Sequence, residues 1–356
     1  MLTVLLAFLL CSCAGNTDRA KNGVKITATD AKTEQTEEYN DAVFSMTIPK
    51  GWKVTYGGSD IYHSIRISDP DEPLNCMFVL LKADCLLHSQ EGKDAWKAVY
   101  NEGNRDAVIF ANAPVLEKPS TESFFKIFAQ YADMASKFEA AYVGYSFPHY
   151  DNFTVTDRFS GSGDMVKYSL GDEFLRATFT DNGRAGEGMF SASVVDFKES
   201  LYSDRTVADY GLESVDSGYY MAYNIVAITA AKDTFIEWED LLTECLKTLK
   251  YSDIFENNIR GAIERDFFQA RCINQNFNQT MDGIMSSWDS RNKSIDIISQ
   301  KQSDATLGYE RVYDTRTKEI YRAAKGFTSS YKGKGYKPVT DDNMYTTPIS
   351  GYIEKD

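Results

Sequence analysis

Phe44, Met46 and Ile48 alternate with Ser45 and Thr47, a period of two that predicts a half-buried strand, and Pro49-Lys50-Gly51 ends it in a turn. Trp52, Val54 and Tyr56 continue the alternation; Ile65 with Ile67 and the apolar run 76–81 add further strands around the turn-rich Asp69-Pro70-Asp71-Glu72-Pro73. An antiparallel meander is the economical arrangement. Residues 93–101 and 122–142 change period: Phe124, Phe128, Tyr131, Ala135, Phe138 and Tyr142 recur at steps of three and four, which predicts a helix with one apolar face. Strands resume at 166–170, at Leu175, Ala177 and Phe179, at 189–197 and over the apolar run 219–230. Asp181-Asn182-Gly183 supplies a hairpin turn. A helix over 234–249, capped by Asp233, closes this part.

Beyond it, Ile259, Ile263, Phe267, Ala270, Ile273, Phe277, Met281, Ile284 and Trp288 are spaced near the 3.6 of a straight helix, so residues 253–301 are expected to form one long amphipathic helix. Docking on its own body is the expected fate of that face, with dimerisation as the alternative. In the last part, Tyr309-Glu310-Arg311-Val312-Tyr313 and Glu319-Ile320-Tyr321-Arg322 flank a polar turn, the pattern of a β-hairpin. The elements add up to an α+β fold: an antiparallel sheet packed with helices over 42–252, the long helix, and a small C-terminal β-hairpin region over 302–356.

The opening strand with Ile48-Pro49-Lys50-Gly51-Trp52, the meander, and the long apolar strand leading into a closing amphipathic helix resemble the PsbP-like α/β sandwich across residues 42–252. The resemblance implies a binding or assembly scaffold more often than a catalyst, and a fold alone assigns no function. With the tail included, nearly the whole chain resembles a group of lipoproteins from anaerobic Gram-positive bacteria. That pattern carries Gly where Lys318 stands here, so a different turn conformation is expected, and it implies no activity.

The first residues bear on address. Leu2 to Leu10 form an apolar run broken only by Thr3, far short of the roughly 20 residues a membrane span needs. It has the length of a signal-peptide core, although no Lys or Arg precedes it. Leu10-Cys11-Ser12-Cys13 resembles the lipobox of bacterial lipoproteins, which implies removal of residues 1–12 and a lipid on Cys13. Residues 16–41 are rich in Asn, Asp, Thr, Lys and Glu, a composition that builds no core of its own. Residues 13–41 are therefore expected to be a lipidated flexible tether, holding the body about 25–30 Å from its anchor. The expected localisation is the extracytoplasmic face of a bacterial cell membrane.

Composition narrows the partners. The chain of 356 residues carries a formal net charge of −14, which opposes nucleic acid, because phosphate neutralisation needs clustered Lys and Arg. Of the six cysteines, Cys76 and Cys245 sit in apolar patterns and read as small core residues, and free thiols are favoured over bridges for Cys76, Cys85, Cys245 and Cys272. His63, His88 and His149 are the only histidines and have no metal-ligand spacing, and no phosphate-cradling glycine motif opens a helix. No cofactor is expected. Ser160-Gly161-Ser162-Gly163-Asp164 lacks the Gly-x-Ser-x-Gly elbow, and Cys85 with His88, three apart on a supposed helical turn, is the other nucleophile candidate.

The tail reverses the charge. Arg316, Lys318, Arg322, Lys325, Lys332, Lys334 and Lys337 stand against the single acid Glu319, a local +6 that leaves −20 for the rest. Tyr331 and Tyr336 interleave with them and offer rigid amphipathic contact area. Two outcomes are open: the basic stretch is solvated or docks on the acidic body with the tyrosines as its core, or it faces an anionic envelope polymer, membrane phosphate or partner protein. The expected function is a non-catalytic binding or scaffold module of the cell envelope. An envelope hydrolase with a Ser or Cys nucleophile and a structural, self-associating protein are the alternatives.

Overall fold

The computed structural model describes residues 24–28, 35–159, 170–171, 174–197, 215–264, 301, 304–341, 344–345, 347 and 349–355. The chain divides into two compact units, a large one over Ala31–Ser303 and a terminal one made of Met1–Asp30 with Asp304–Asp356. In chain order the strands begin with β1 (Val24–Ala28) of the terminal unit and β2 (Thr36–Asn40), β3 (Phe44–Pro49), β4 (Lys53–Gly57), β5 (Ser64–Ser68) and β6 (Cys76–Leu87) of the large unit. Helices α1 (Gln90–Asn101), α2 (Val108–Asn112) and α3 (Thr121–Phe138) follow, then β7 (Asp151–Phe159), β8 (Phe174–Asp181), β9 (Arg184–Phe197) and β10 (Tyr219–Ala231). Helix α4 (Phe235–Lys247), strand β11 (Lys250–Tyr251) and helix α5 (Asp253–Glu264) complete the described part of the large unit.

Its main sheet is antiparallel, with order β4-β5-β6-β10-β9-β8-β7, and a three-stranded sheet, β11-β3-β2, lies beside it. The fold is α+β. On one face of the main sheet Phe124, Phe125, Phe128, Tyr131 and Ala135 of α3 share an apolar cluster with Phe78, Leu80, Phe190 and Ile225. The 3.6-residue spacing of those α3 side chains makes that stripe, and Ser120 starts the helix by accepting the Ser123 N–H at 3.0 Å. A second cluster unites Trp238, Leu242, Cys245 and Leu246 of α4 with Val226, Ile228 and the Phe44, Met46 and Ile48 row of β3. A third joins Trp96, Val99 and Phe110 of α1 and α2 to Leu87, Tyr219 and Met221.

Several expectations hold at residue level. The β8–β9 hairpin turns on Asn182 and Gly183, both at positive φ (51° and 78°), the two-residue turn whose twist suits antiparallel strands. Helix α4 is not capped by Asp233, which sits at φ 70° in the turn; Thr234 precedes the helix and offers no side-chain cap. Helix α5 covers the start of the expected long helix, and residues 265–300 of that expectation lie outside the described residues, as do residues 166–169 of the expected strand and the Ser160–Asp164 loop.

The expected tether is shorter than residues 13–41. Thr36–Asn40 pairs antiparallel with β3, and Val24–Ala28 forms an edge strand of the terminal sheet. Low apolar content rules out a segment with its own core. It does not rule out an edge strand, which is held by backbone hydrogen bonds to a sheet already formed. Tyr39, the one aromatic of that stretch, supplies the anchor: its ring lies 5.1 Å from that of Phe44, and its hydroxyl donates to Asp41 at 2.9 Å.

The terminal unit adds β12 (Tyr309–Asp314), β13 (Ile320–Ala324), the short helix α6 (Phe327–Ser330), β14 (Tyr336–Pro338) and β15 (Ile349–Lys355). Sheet order is β1-β15-β13-β12-β14, all neighbours antiparallel except β13 with β15. Val312, Tyr321, Ala323, Phe327, Tyr336 and Ile353 form its apolar core. The expected hairpin is present, but as the centre of five strands, two of whose members come from opposite ends of the chain. In the turn between β12 and β13, Lys318 takes the left-handed conformation, at φ 66°, while its N–H donates to Asp314 O at 2.9 Å. A Cβ in that region is strained, so Lys318→Gly is expected to stabilise the terminal unit by about 0.5–1 kcal/mol. Slower hydrogen exchange across β12 and β13 is the readout, and faster exchange would contradict it.

Candidate functional site

Strand register sorts the basic residues of the tail. The turn between β12 and β13 carries Arg316 and Lys318, and β14 pairs Tyr336 with Asp314, so the chain leaving α6 returns to the same end of the sheet. Thr315 ties the two loops together, its N–H and Oγ1 donating to Gly335 O at 2.8 and 3.1 Å. Arg316, Lys318, Lys332, Lys334 and Lys337 therefore gather at one end, all exposed. Lys325 lies at the opposite end, where its N–H donates to Gly308 O.

These cations are not equivalent. Arg316 is neutralised by Asp314, Nη2 to Oδ2 at 2.9 Å and Nε to Oδ1 at 3.2 Å, and the same contact holds the Asp314 carboxyl below the usual carboxylate range. Lys318 lies over the Tyr313 ring at 5.4 Å. Lys332, Lys334 and Lys337 have no carboxylate partner among the described residues. Long ammonium side chains without a fixed acid are point charges free to meet an anion.

Three expected contact residues are placed differently. Arg322 is 2% exposed, because its strand pairs it directly with Arg311 and both guanidiniums turn inward to Asp304. Tyr336 is buried in the small core, and half-buried Tyr331 stacks on Phe327 at 5.4 Å and meets Tyr336 edge-on at 5.6 Å. The tyrosines thus brace the cationic loops from beneath instead of facing a partner, because a sheet this small has few other large side chains with which to fill its core.

The Arg311–Asp304–Arg322 triad has no counterpart in the sequence reading. Arg311 Nε reaches Asp304 Oδ2 at 2.6 Å and Arg322 Nε reaches Oδ1 at 3.0 Å. Tyr345 and Tyr309 place their rings 4.7 and 5.7 Å from the Arg311 and Arg322 guanidiniums. Burial lowers the Arg311 pKa against the opposing pull of Asp304.

In the large unit a second buried polar group was also missed. Lys82 is fully buried in central strand β6, 3.0 Å from Asp84, and the Tyr62 hydroxyl donates to the same carboxylate. The strand was expected to stop at Leu81, yet it runs to Leu87; a lysine inside an apolar strand was the signal. Cys85 beside it takes a positive φ of 59°, and the β6–β10 register shifts there, a bulge. Glu139 at the end of α3 is raised to about 7, first by burial and then by the charge of Asp84.

The histidines and thiols fall in separate places. Cys85 lies in a strand and not on a helical turn with His88; its side chain belongs to the cluster of Trp96, and burial pushes its thiol well up. His88 is held between Asp216, 3.0 Å from Nδ1, and Asp196, 3.3 Å from Nε2, with the Tyr220 ring at 4.2 Å. His63 packs among Tyr56, Tyr251 and Phe255, and burial lowers it to about 4. His149 lies 3.7 Å from Asp133. Cys76, Cys85 and Cys245 are free thiols; Cys13 and Cys272 lie outside the described residues. Among the described residues no group of three or more His, Cys, Asp or Glu converges as a metal ion requires.

An open groove of about 320 Å³ runs along β7, rimmed by Glu122, Lys126 and Arg158. Glu122 pairs with both cations. Comparison with known proteins finds no matching family model and no similar curated protein.

Proposed function

We propose that the chain is a lipid-anchored protein of the bacterial cell envelope, joined to the outer face of the membrane through Cys13, and that it works by binding and not by catalysis. The apolar run ending at Leu10-Cys11-Ser12-Cys13 supports the anchor. The large unit is read as a PsbP-like sandwich, in which Ile48-Pro49-Lys50-Gly51-Trp52 closes β3 and sets Trp52 against Trp238 at 5.4 Å. That resemblance favours a scaffold.

One observation carries the binding surface: five exposed cations gather at one end of the terminal sheet, and among the described residues only Arg316 is neutralised by a carboxylate. The contact residues are Lys318, Lys332, Lys334 and Lys337. In this reading Arg322, Tyr331 and Tyr336 form their frame. An anionic envelope component is the partner class, since unpaired lysines release counterions when they meet clustered negative charge.

Two measurements on the protein from its native membrane test this. Mass spectrometry of the N-terminal peptide is expected to show a diacylglyceryl group on Cys13, and an unmodified peptide starting at Met1 overturns the anchor. Binding to isolated envelope material is expected to fall at least tenfold between about 50 and 200 mM salt, by counterion release. Salt-independent binding overturns the charged surface.

A further inference from the structure

Three aromatic rings from three elements of the large unit enclose the His63 imidazole. Tyr56 of β4 stacks on it at 5.9 Å, and Tyr251 of β11 and Phe255 of α5 meet it edge-on at 6.2 and 5.0 Å. His63 is 4% exposed, and its Nδ1 is buried with no hydrogen-bond partner. The main sheet fixes the backbone from the other side: the Leu81 N–H donates to His63 O at 3.1 Å, and the next residue, Ser64, opens β5.

Such a box suits a neutral imidazole and denies an imidazolium the water or carboxylate contact that its charge needs. Asp41, on the turn into β3, is the one charge among the described residues that favours the charged form. The other titratable groups around the ring are Tyr56 and Tyr251, and the carboxylates of the neighbouring elements, Asp60, Asp253 and Glu256, do not offset its burial. Burial prevails over Asp41 and lowers the imidazole to about 4. A base lowered in this way favours the closed form fully above its ordinary value of 6.5, and that margin is lost as pH falls from there toward 4.

The walls of the box differ in strength. β11 has two residues and pairs with β3 alone, outside the seven-stranded sheet. α5 follows at once, with the Phe255 N–H donating to Ser252 Oγ at 3.2 Å, and it packs on the Asp60–Tyr62 turn. Its inward side chains are Phe255 and Ile259, while Ile254 is 73% exposed. Tyr251 and Phe255 stack on each other at 5.0 Å and form one wall, which can leave without breaking a strand pair of the main sheet. We infer that His63 is an acid-sensitive latch: protonation of its imidazole releases β11 and α5 from the body of the large unit, uncovering Tyr251, Phe255 and Ile259, while the main sheet stays folded.

Hydrogen exchange on the full chain, corrected for the intrinsic pH dependence of amide exchange, tests the latch. Opening over 251–264 is expected to rise about twentyfold between pH 7 and pH 5, as the released imidazole takes up a proton, with β6 and β10 unchanged. His63→Phe fills the box with a ring that cannot titrate and should flatten that dependence. The wild-type pH dependence persisting in His63→Phe overturns the latch, and so does a rise shared equally by β6 and β10, which would make His63 a determinant of the whole unit's stability. Proton NMR of the wild-type imidazoles gives a readout that needs no substitution: His63 is expected to titrate at about 4 in the folded protein, and a titration at its ordinary value of 6.5 overturns the inference.

Discussion

Asp304→Ala is expected to cost the terminal unit about 3–5 kcal/mol, the penalty of removing one partner from a buried ion pair and stranding the rest. Arg311 and Arg322 are 5% and 2% exposed and stand opposite each other on adjacent strands, an arrangement tolerable only because one carboxylate lies between them. Arg311 keeps a further bond, Nη1 to Tyr345 O at 3.0 Å, whereas the other contact of Arg322 is the Tyr309 ring. The loss therefore falls hardest on β13, the middle strand that holds β12 and β15 together. Hydrogen exchange over 309–324 should rise by two or more orders of magnitude, each factor of ten being about 1.4 kcal/mol. An apolar triple replacement, Asp304→Leu with Arg311→Met and Arg322→Met, should restore most of the protection, since such triads gain little over packed hydrocarbon. Unchanged exchange in Asp304→Ala would mean that the triad is a bystander.

The same triad shows where sequence reading runs out. A run of seven cations is plain in the amino-acid order, but which of them face outward depends on which residue lies across the strand, and Arg322 becomes buried through its pairing with Arg311. Asp304 lies outside the basic stretch and was assigned no partner. Period-two and period-3.6 patterns fared better, because β3, α3 and α4 each bury one side and carry that constraint in their own residues. Edge strand β2 carries no such mark, and the alternation of Val24, Ile26 and Ala28 with Lys25 and Thr27 in β1 is short and set in a polar stretch. Backbone pairing accepts almost any side chain, so a polar stretch that reads as linker becomes sheet once an edge is offered. Lys82 is the converse case: a charge was taken as the end of β6, when the strand continues and buries the charge with a partner two residues on.

That pairing leads to the second large effect. Asp84→Ala is expected to cost the large unit about 3–5 kcal/mol by leaving a fully buried ammonium without its counter-charge. The remaining neighbours of Lys82 Nζ are the Tyr62 hydroxyl at 3.4 Å and the Tyr62 and Tyr223 rings at 5.1 and 5.7 Å, too little to replace a carboxylate at 3.0 Å. Lys82→Met should cost less, about 1–2 kcal/mol, because Asp84 keeps the Tyr62 hydroxyl and is partly exposed to water. The double variant should be more stable than Asp84→Ala alone, a coupling of about 2 kcal/mol or more in a double-mutant cycle. Trp96 lies in the third cluster and Trp52 and Trp238 in the second, so fluorescence during urea unfolding reports the main-sheet core on both sides of the pair. Additive single losses would show that the bulge at Cys85, and not the ion pair, sets the cost. The Glu139 carboxyl gives an independent check: the charge of Asp84 helps hold it near 7, so its titration should move toward the ordinary range in Asp84→Ala, and a titration that stays put would place Asp84 too far away to act on it.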